Sequence, residues 1–85
     1  MDPELILIDE PSIGFEPRAI EAVFDTLREL RDERGKTLIL VEQNAGKGLE
    51  FADVGYVLVR GRVVKAGYGK ELLANPKIGM LFLGG

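Results

Sequence analysis

Leu5-Ile6-Leu7-Ile8-Asp9-Glu10-Pro11-Ser12 decides how the rest of the chain is read. Four consecutive apolar residues are too few for a helix, and Pro3 and Pro11 bound them, so the run suits a strand buried on both faces. Strands of that kind belong to parallel sheets covered by helices. Two adjacent carboxylates at the carboxyl end of such a strand lie where open α/β sheets bind their ligands. Held rigidly by the strand, Asp9 can accept from the waters of a Mg²⁺ ion that keeps most of its hydration shell. Glu10, one residue on, points elsewhere and can take a proton from, or orient, a water attacking phosphorus. On the residues alone, an acid pair that merely leaves the strand and caps the next turn fits equally well.

Downstream the periodicity changes. Pro17 suits the first position of a helix, and Ile20, Val23, Phe24, Leu27 and Leu30 follow at steps of three and four. Arg28, Arg31 and Arg34 complement the C-terminal end of its dipole and Gly35 stops it, so the helix is expected to end near Arg34. Thr37 to Val41 is a second buried strand. Strand, helix, strand in this order predicts a right-handed βαβ crossover with the strands, about 4–8 and 37–41, parallel and side by side. Asn44 can cap a short helix through about Ala52, weakened by Gly46 and Gly48. Residues 54–59 and 62–66 flank Arg60-Gly61 and predict an antiparallel hairpin in which Gly61 takes positive φ. Two short helical turns complete the chain, over 70–74 and 76–82, with Asn75 as a cap, Pro76 at a first position and Gly84-Gly85 as the end.

Eighty-five residues bound the whole to one small unit, 1–85, with no repeat or linker inside it. Cys and His are both absent, which removes disulfides, thiolate chemistry and imidazole bases and leaves oxygen ligands for any metal. A net charge of -3 is the wrong sign for tracking phosphates along nucleic acid. The acids are concentrated in front: residues 1–35 hold ten acids and four bases, and residues 36–85 hold four acids and seven bases. That asymmetry fits a solvated helix face or a cation site in the first third. No apolar run reaches the ~18 residues of a membrane span, and no basic stretch precedes the first apolar run, so a cytoplasmic compartment is expected.

These residues resemble a known family. Leu5 to Ser12 is similar to the Walker B segment of ATP-binding-cassette (ABC) ATPases, Ser12-Ile13-Gly14-Phe15-Glu16-Pro17 to their D-loop region, and Leu40-Val41-Glu42-Gln43-Asn44 falls where their switch loop follows the next strand. Val41 to Ala45, Tyr56 to Leu58 and Leu83 to Gly85 further resemble the ATP-binding subunits of branched-chain amino acid importers. The resemblance implies a partial P-loop NTPase (RecA-like) α/β sheet, the C-terminal part of a nucleotide-binding domain. It implies ATP and Mg²⁺ as cofactors of the intact protein, with Asp9 at the metal through water and Glu10 as the catalytic base. Ser12, Ile13, Gly14, Phe15 and Glu16 would contact a second ATPase subunit, and membrane permease subunits would be the other partners, at the cytoplasmic face of the membrane. Gln43 stands where most of the family has a histidine that senses the γ-phosphate. It can donate to a phosphate oxygen but carries no charge. Glu16 replaces the usual D-loop aspartate with a longer carboxylate. Read without the family, Gln43 and Asn44 are a polar turn with a helix cap.

A phosphate loop, Gly-x-x-x-x-Gly-Lys-Ser/Thr, supplies the amides that cradle ATP in this family. Gly69-Lys70 would need Gly at 64 and a hydroxyl at 71 but has Val64 and Glu71, and Gly46-Lys47 has Val41 in place of the first Gly. The Ser-Gly-Gly-Gln signature is absent from these residues as well. The expectation is therefore a chain that alone neither binds ATP tightly nor hydrolyses it. In the family's sheet the phosphate-loop strand separates the strands like 37–41 and 54–59. Here they would pair directly, or the missing N-terminal part or a second copy would stand between them, which predicts association of the isolated chain. The rival reading is a noncatalytic α/β interaction module that has kept the fold without the nucleotide site. A free-standing Mg²⁺ phosphatase is disfavoured because no further acidic or amide cluster completes a site.

Overall fold

The computed structural model describes residues 4–82, so the expected Gly84-Gly85 end lies outside the described residues. The elements run β1 (Leu5–Asp9), α1 (Pro17–Asp32), β2 (Thr37–Val41), α2 (Ala45–Phe51), β3 (Val54–Val59), β4 (Arg62–Tyr68), α3 (Gly69–Ala74) and α4 (Pro76–Phe82). They group into two compact units, Met1–Gln43 and Asn44–Gly85.

In the first unit β1 and β2 pair in parallel, from Leu5 opposite Thr37 to Asp9 opposite Val41. The crossover is α1. Pro17 opens it after an extended Glu16 whose side chain makes no cap bond, and the Ile20 amide donates to the Glu16 carbonyl at 2.9 Å. Phe24 and Leu27 are its buried residues, with Ile20, Val23 and Leu30 half-buried around them. This is the apolar stripe expected from the three- and four-residue spacing. The helix ends at Asp32, two residues short of the expected Arg34. The chain turns through Gly35 at φ +64, a conformation that costs glycine little, and Lys36 N–H returns to the Leu30 carbonyl at 3.0 Å.

The expectation that β1 and β2 are buried on both faces is corrected here. Both strands alternate between exposed and half-buried residues: Ile6, Ile8, Leu38 and Leu40 are half-buried, whereas Leu5, Leu7, Ile39 and Val41 are 50 to 71% exposed. The reason is that a right-handed crossover lays its helix over one face of the sheet, and a single crossover covers only that face.

The second unit begins with α2, capped by Asn44, whose Oδ1 accepts from Lys47 N–H at 3.2 Å. β3 and β4 form the expected antiparallel hairpin. Arg60 and Gly61 at its turn both have positive φ, +51 and +77, as a type I′ turn requires, so the arginine shares a conformation expected only of the glycine. Val57 pairs with Lys65 and Leu58 with Val63, which leaves Val64 as the extra residue of a bulge. β4 continues to Tyr68, beyond the expected 66. Each sheet is two-stranded, β1 pairing with β2 and β3 with β4. Leu49, Val57, Leu72 and Ile78 form the core, with Leu73 packed against it. Asn75 caps α4, its Oδ1 accepting from Lys77 N–H at 2.9 Å.

Two glycines of this unit separate packing from propensity. A Cβ at Gly69 would run into the backbone carbonyl oxygens of Ala52 and Leu49, whereas a Cβ at Gly79 would meet nothing within 4 Å. Gly69→Ala is expected to lower the stability of the unit by about 1–3 kcal/mol, the range for overpacking. Gly79→Ala, in open space within a helix, is expected to raise it by about 0.5–1 kcal/mol. Urea unfolding of the two variants beside the parent chain checks both signs.

Candidate functional site

The carboxyl ends of β1 and β2 coincide, because Asp9 lies opposite Val41. Pairing continues one residue further, with Glu10 N–H donating to the Val41 carbonyl at 2.6 Å. Asp9 is exposed, on the same alternation as Leu5 and Leu7, and Glu10 is half-buried. Among the described residues neither carboxylate is in an ion pair or a hydrogen bond. The alternative in which the two acids serve as turn caps is therefore not what the side chains do.

Glu10 has φ +53, a left-handed conformation that costs a non-glycine residue about 1–2 kcal/mol. Sequence reading missed it. Pro11 gave no signal for it, because the residue before a proline is pushed toward extended backbone with negative φ. Two turns follow: Ile13 N–H donates to the Glu10 carbonyl and Phe15 N–H to the Ser12 carbonyl, both at 3.2 Å. Gly14, at φ +78, supplies the left-handed residue of the second turn. Ser12 is buried, while Ile13 and Phe15 are 68% and 51% exposed. Gly14 and Glu16 are exposed as well.

Beyond β2, Glu42 is half-buried and Gln43 exposed. The Glu42 Oε1 accepts from Ser12 N–H at 3.1 Å, so the loop leaving β2 is bonded to the turn leaving β1. Nothing in the local sequence Leu40 to Asn44 marks Glu42 for this bond. The structure thus brings Asp9, Glu10, Ser12 and Gln43 to one end of the two-stranded sheet, while Asn44 turns its side chain to the capping of α2.

Asp9 offers a single exposed carboxylate at the end of a strand, which fits a cation that keeps its water, as Mg²⁺ does. Among the described residues no three carboxylates gather in a cage. A shallow depression lined by Asp25, Arg28, Glu29, Asp32 and Glu33 lies on α1 and contains none of these residues.

No protein-family model matches the chain. It is 48% identical over 83 residues to the high-affinity branched-chain amino acid transport ATP-binding protein BraG of Pseudomonas aeruginosa, covering 98% of this chain and 35% of that protein. It is 40% identical over 80 residues to the probable branched-chain amino acid transport ATP-binding protein LivF of Archaeoglobus fulgidus, covering 94% of this chain and 34% of that one. Other relatives carry names for L-cystine transport and methionine import. Among solved structures, the ADP conformation of MJ1267, an ATP-binding cassette of an ABC transporter, matches with a TM-score of 0.75 and 28% identity over 98% of this chain and 34% of that chain. The chain thus spans about a third of the length of the relatives it matches. Sequence and fold agree in likening it to about a third of the ATP-binding subunits of ABC transporters, and the relatives named for branched-chain amino acid transport match it over nearly its whole length.

Proposed function

We propose that the chain is the C-terminal part of the ATP-binding subunit of an ABC importer for branched-chain amino acids, carrying its Walker B strand, D-loop and switch loop. In the intact protein, ATP hydrolysis at this sheet end drives transport. The observation that carries the reading is the common end of parallel β1 and β2, with an exposed Asp9, a left-handed Glu10 and an exposed Gln43 arranged along it.

Each residue has a task its chemistry allows. Asp9 accepts from the water shell of Mg²⁺. Glu10 accepts the proton of the water whose oxygen attacks the γ-phosphorus, and the bond to the ADP oxygen breaks. Gln43 donates an amide hydrogen to a γ-phosphate oxygen, steering it without adding charge. Ile13, Gly14, Phe15 and Glu16 form the D-loop surface toward the second ATPase subunit, where the exposed Ile13 and Phe15 offer apolar contact, whereas Ser12, expected on the same surface, is buried. The permease subunits are the membrane-embedded partners, and the subunit works at the cytoplasmic membrane face. Among the described residues no helix is long and apolar enough to cross a membrane.

The 85 residues hold the carboxylates without a phosphate cradle, so the isolated chain is expected neither to bind ATP tightly nor to hydrolyse it. A purified chain that turns over ATP stoichiometrically, and loses that turnover in Glu10→Gln, would overturn this account. The strain at Glu10 gives a second outcome. Glu10→Gly should stabilise the chain by about 1 kcal/mol, because glycine adopts the left-handed conformation freely, and Glu10→Ala should not. Chemical denaturation distinguishes them. The exposed Leu5, Leu7, Ile39 and Val41 favour association with a second copy or with the missing N-terminal part. Light scattering on the isolated chain is expected to report a dimer or larger, and a single 9.3 kDa species contradicts that expectation.

A further inference from the structure

Ser12 is 7% exposed, and a backbone N–H largely withdrawn from water is expected to have a hydrogen-bond partner. Among the described backbone hydrogen bonds outside helices and strands, none starts from the Ser12 N–H. The acceptor is the Glu42 carboxylate at 3.1 Å, thirty residues away in sequence. An ionised acceptor makes this bond stronger than a neutral pair. Its two ends are close in sequence to the residues that matter most, since Glu42 directly precedes Gln43 and Ser12 follows Glu10 by two.

We propose that Glu42 is a positioning residue, whose carboxylate, by holding the Ser12 amide, fixes the turn that carries Glu10 relative to the loop that carries Gln43. Without it the turn retains two backbone bonds, Glu10 N–H to the Val41 carbonyl and Ile13 N–H to the Glu10 carbonyl. The first holds only the start of the turn, and the second lies within it. Beyond Glu10, whose backbone is left-handed, the turn would lose the hydrogen bond that ties it to the loop after β2. One side chain thereby sets the relation between the water-activating carboxylate and the γ-phosphate donor. The inference rests on the ATPase reading only for what Glu10 and Gln43 do.

The test is amide hydrogen exchange followed by ¹⁵N NMR on the whole 85-residue chain and two variants. Glu42→Ala removes the acceptor; Glu42→Gln keeps an acceptor oxygen at the same reach. In the parent chain the Ser12 amide is expected to be protected. In Glu42→Ala its exchange should accelerate about tenfold or more, the equivalent of one lost hydrogen bond to a charged group, and the Glu10 and Gln43 resonances should move. In Glu42→Gln, which keeps an acceptor oxygen but loses its charge, the rate should lie between those of the parent and Glu42→Ala, with those resonances nearer their parent positions than in Glu42→Ala. Amides of β2 that are protected in the parent should remain so in both variants, which separates loss of the tether from unfolding. An unprotected Ser12 amide in the parent overturns the proposal. So does unchanged exchange in Glu42→Ala, or a Glu42→Gln variant that behaves like Glu42→Ala. Should Glu42→Ala fail to fold, the parent and Glu42→Gln measurements decide. No nucleotide enters the experiment, so its failure leaves the ATPase reading standing, and the turnover assay on Glu10→Gln tests that reading alone.

Discussion

The parallel pairing of β1 with β2, in a register that sets Asp9 opposite Val41, is the constraint on which the rest depends. Side chains alternate along a strand, so a slip of one residue would exchange the two faces of β1. Asp9 would move from the exposed to the half-buried side, and Glu10 N–H would lose its place against the Val41 carbonyl. Parallel strands cannot be joined by a tight turn. The register is therefore maintained through α1, whose buried Phe24 and Leu27 contribute about 1.5–3 kcal/mol apiece by leaving water. Core burial in the helix and the acids at the strand end are in this way parts of one arrangement.

At the end of that sheet the chain departs from its easiest conformation. Glu10 is left-handed, Ser12 is buried, and a side chain from the neighbouring loop supplies the hydrogen bond the Ser12 amide needs. Backbone strain of this kind persists only where surrounding bonds over-determine it, and it concentrates at functional sites. Beside this braced end, the outer face of β1 and β2 carries Leu5, Leu7, Ile39 and Val41 in contact with solvent. Contiguous apolar surface is uncommon on a self-sufficient domain and marks a place another element covers. Relatives about three times as long as this chain are consistent with that.

Much of the fold was legible because its signals are local. Pro17 with the stripe Ile20 to Leu30, Asn44 ahead of a short helix, Arg60-Gly61 between two Val-rich runs and Asn75-Pro76 each specify backbone geometry within a few residues. The structure reproduces all four. The misreadings have physical causes too. Continuous apolar runs were read as strands buried on both sides, yet burial depends on how many layers surround a sheet, and one crossover helix supplies one layer. The bulge at Val64 escaped notice because two adjacent valines fit regular and bulged pairing equally well.

The sequence by itself determined the order of elements, the oxygen-only chemistry left by the absence of Cys and His, and the acid pair that follows an apolar strand. These depend on composition and on neighbours along the chain. The left-handed turn at Glu10, the exposure of half the sheet and the bond from Ser12 to Glu42 were decided only by the tertiary structure. Each depends on a partner far away in sequence: thirty residues separate Ser12 from Glu42, and no local pattern encodes a hydrogen bond formed only when two strands come to lie side by side.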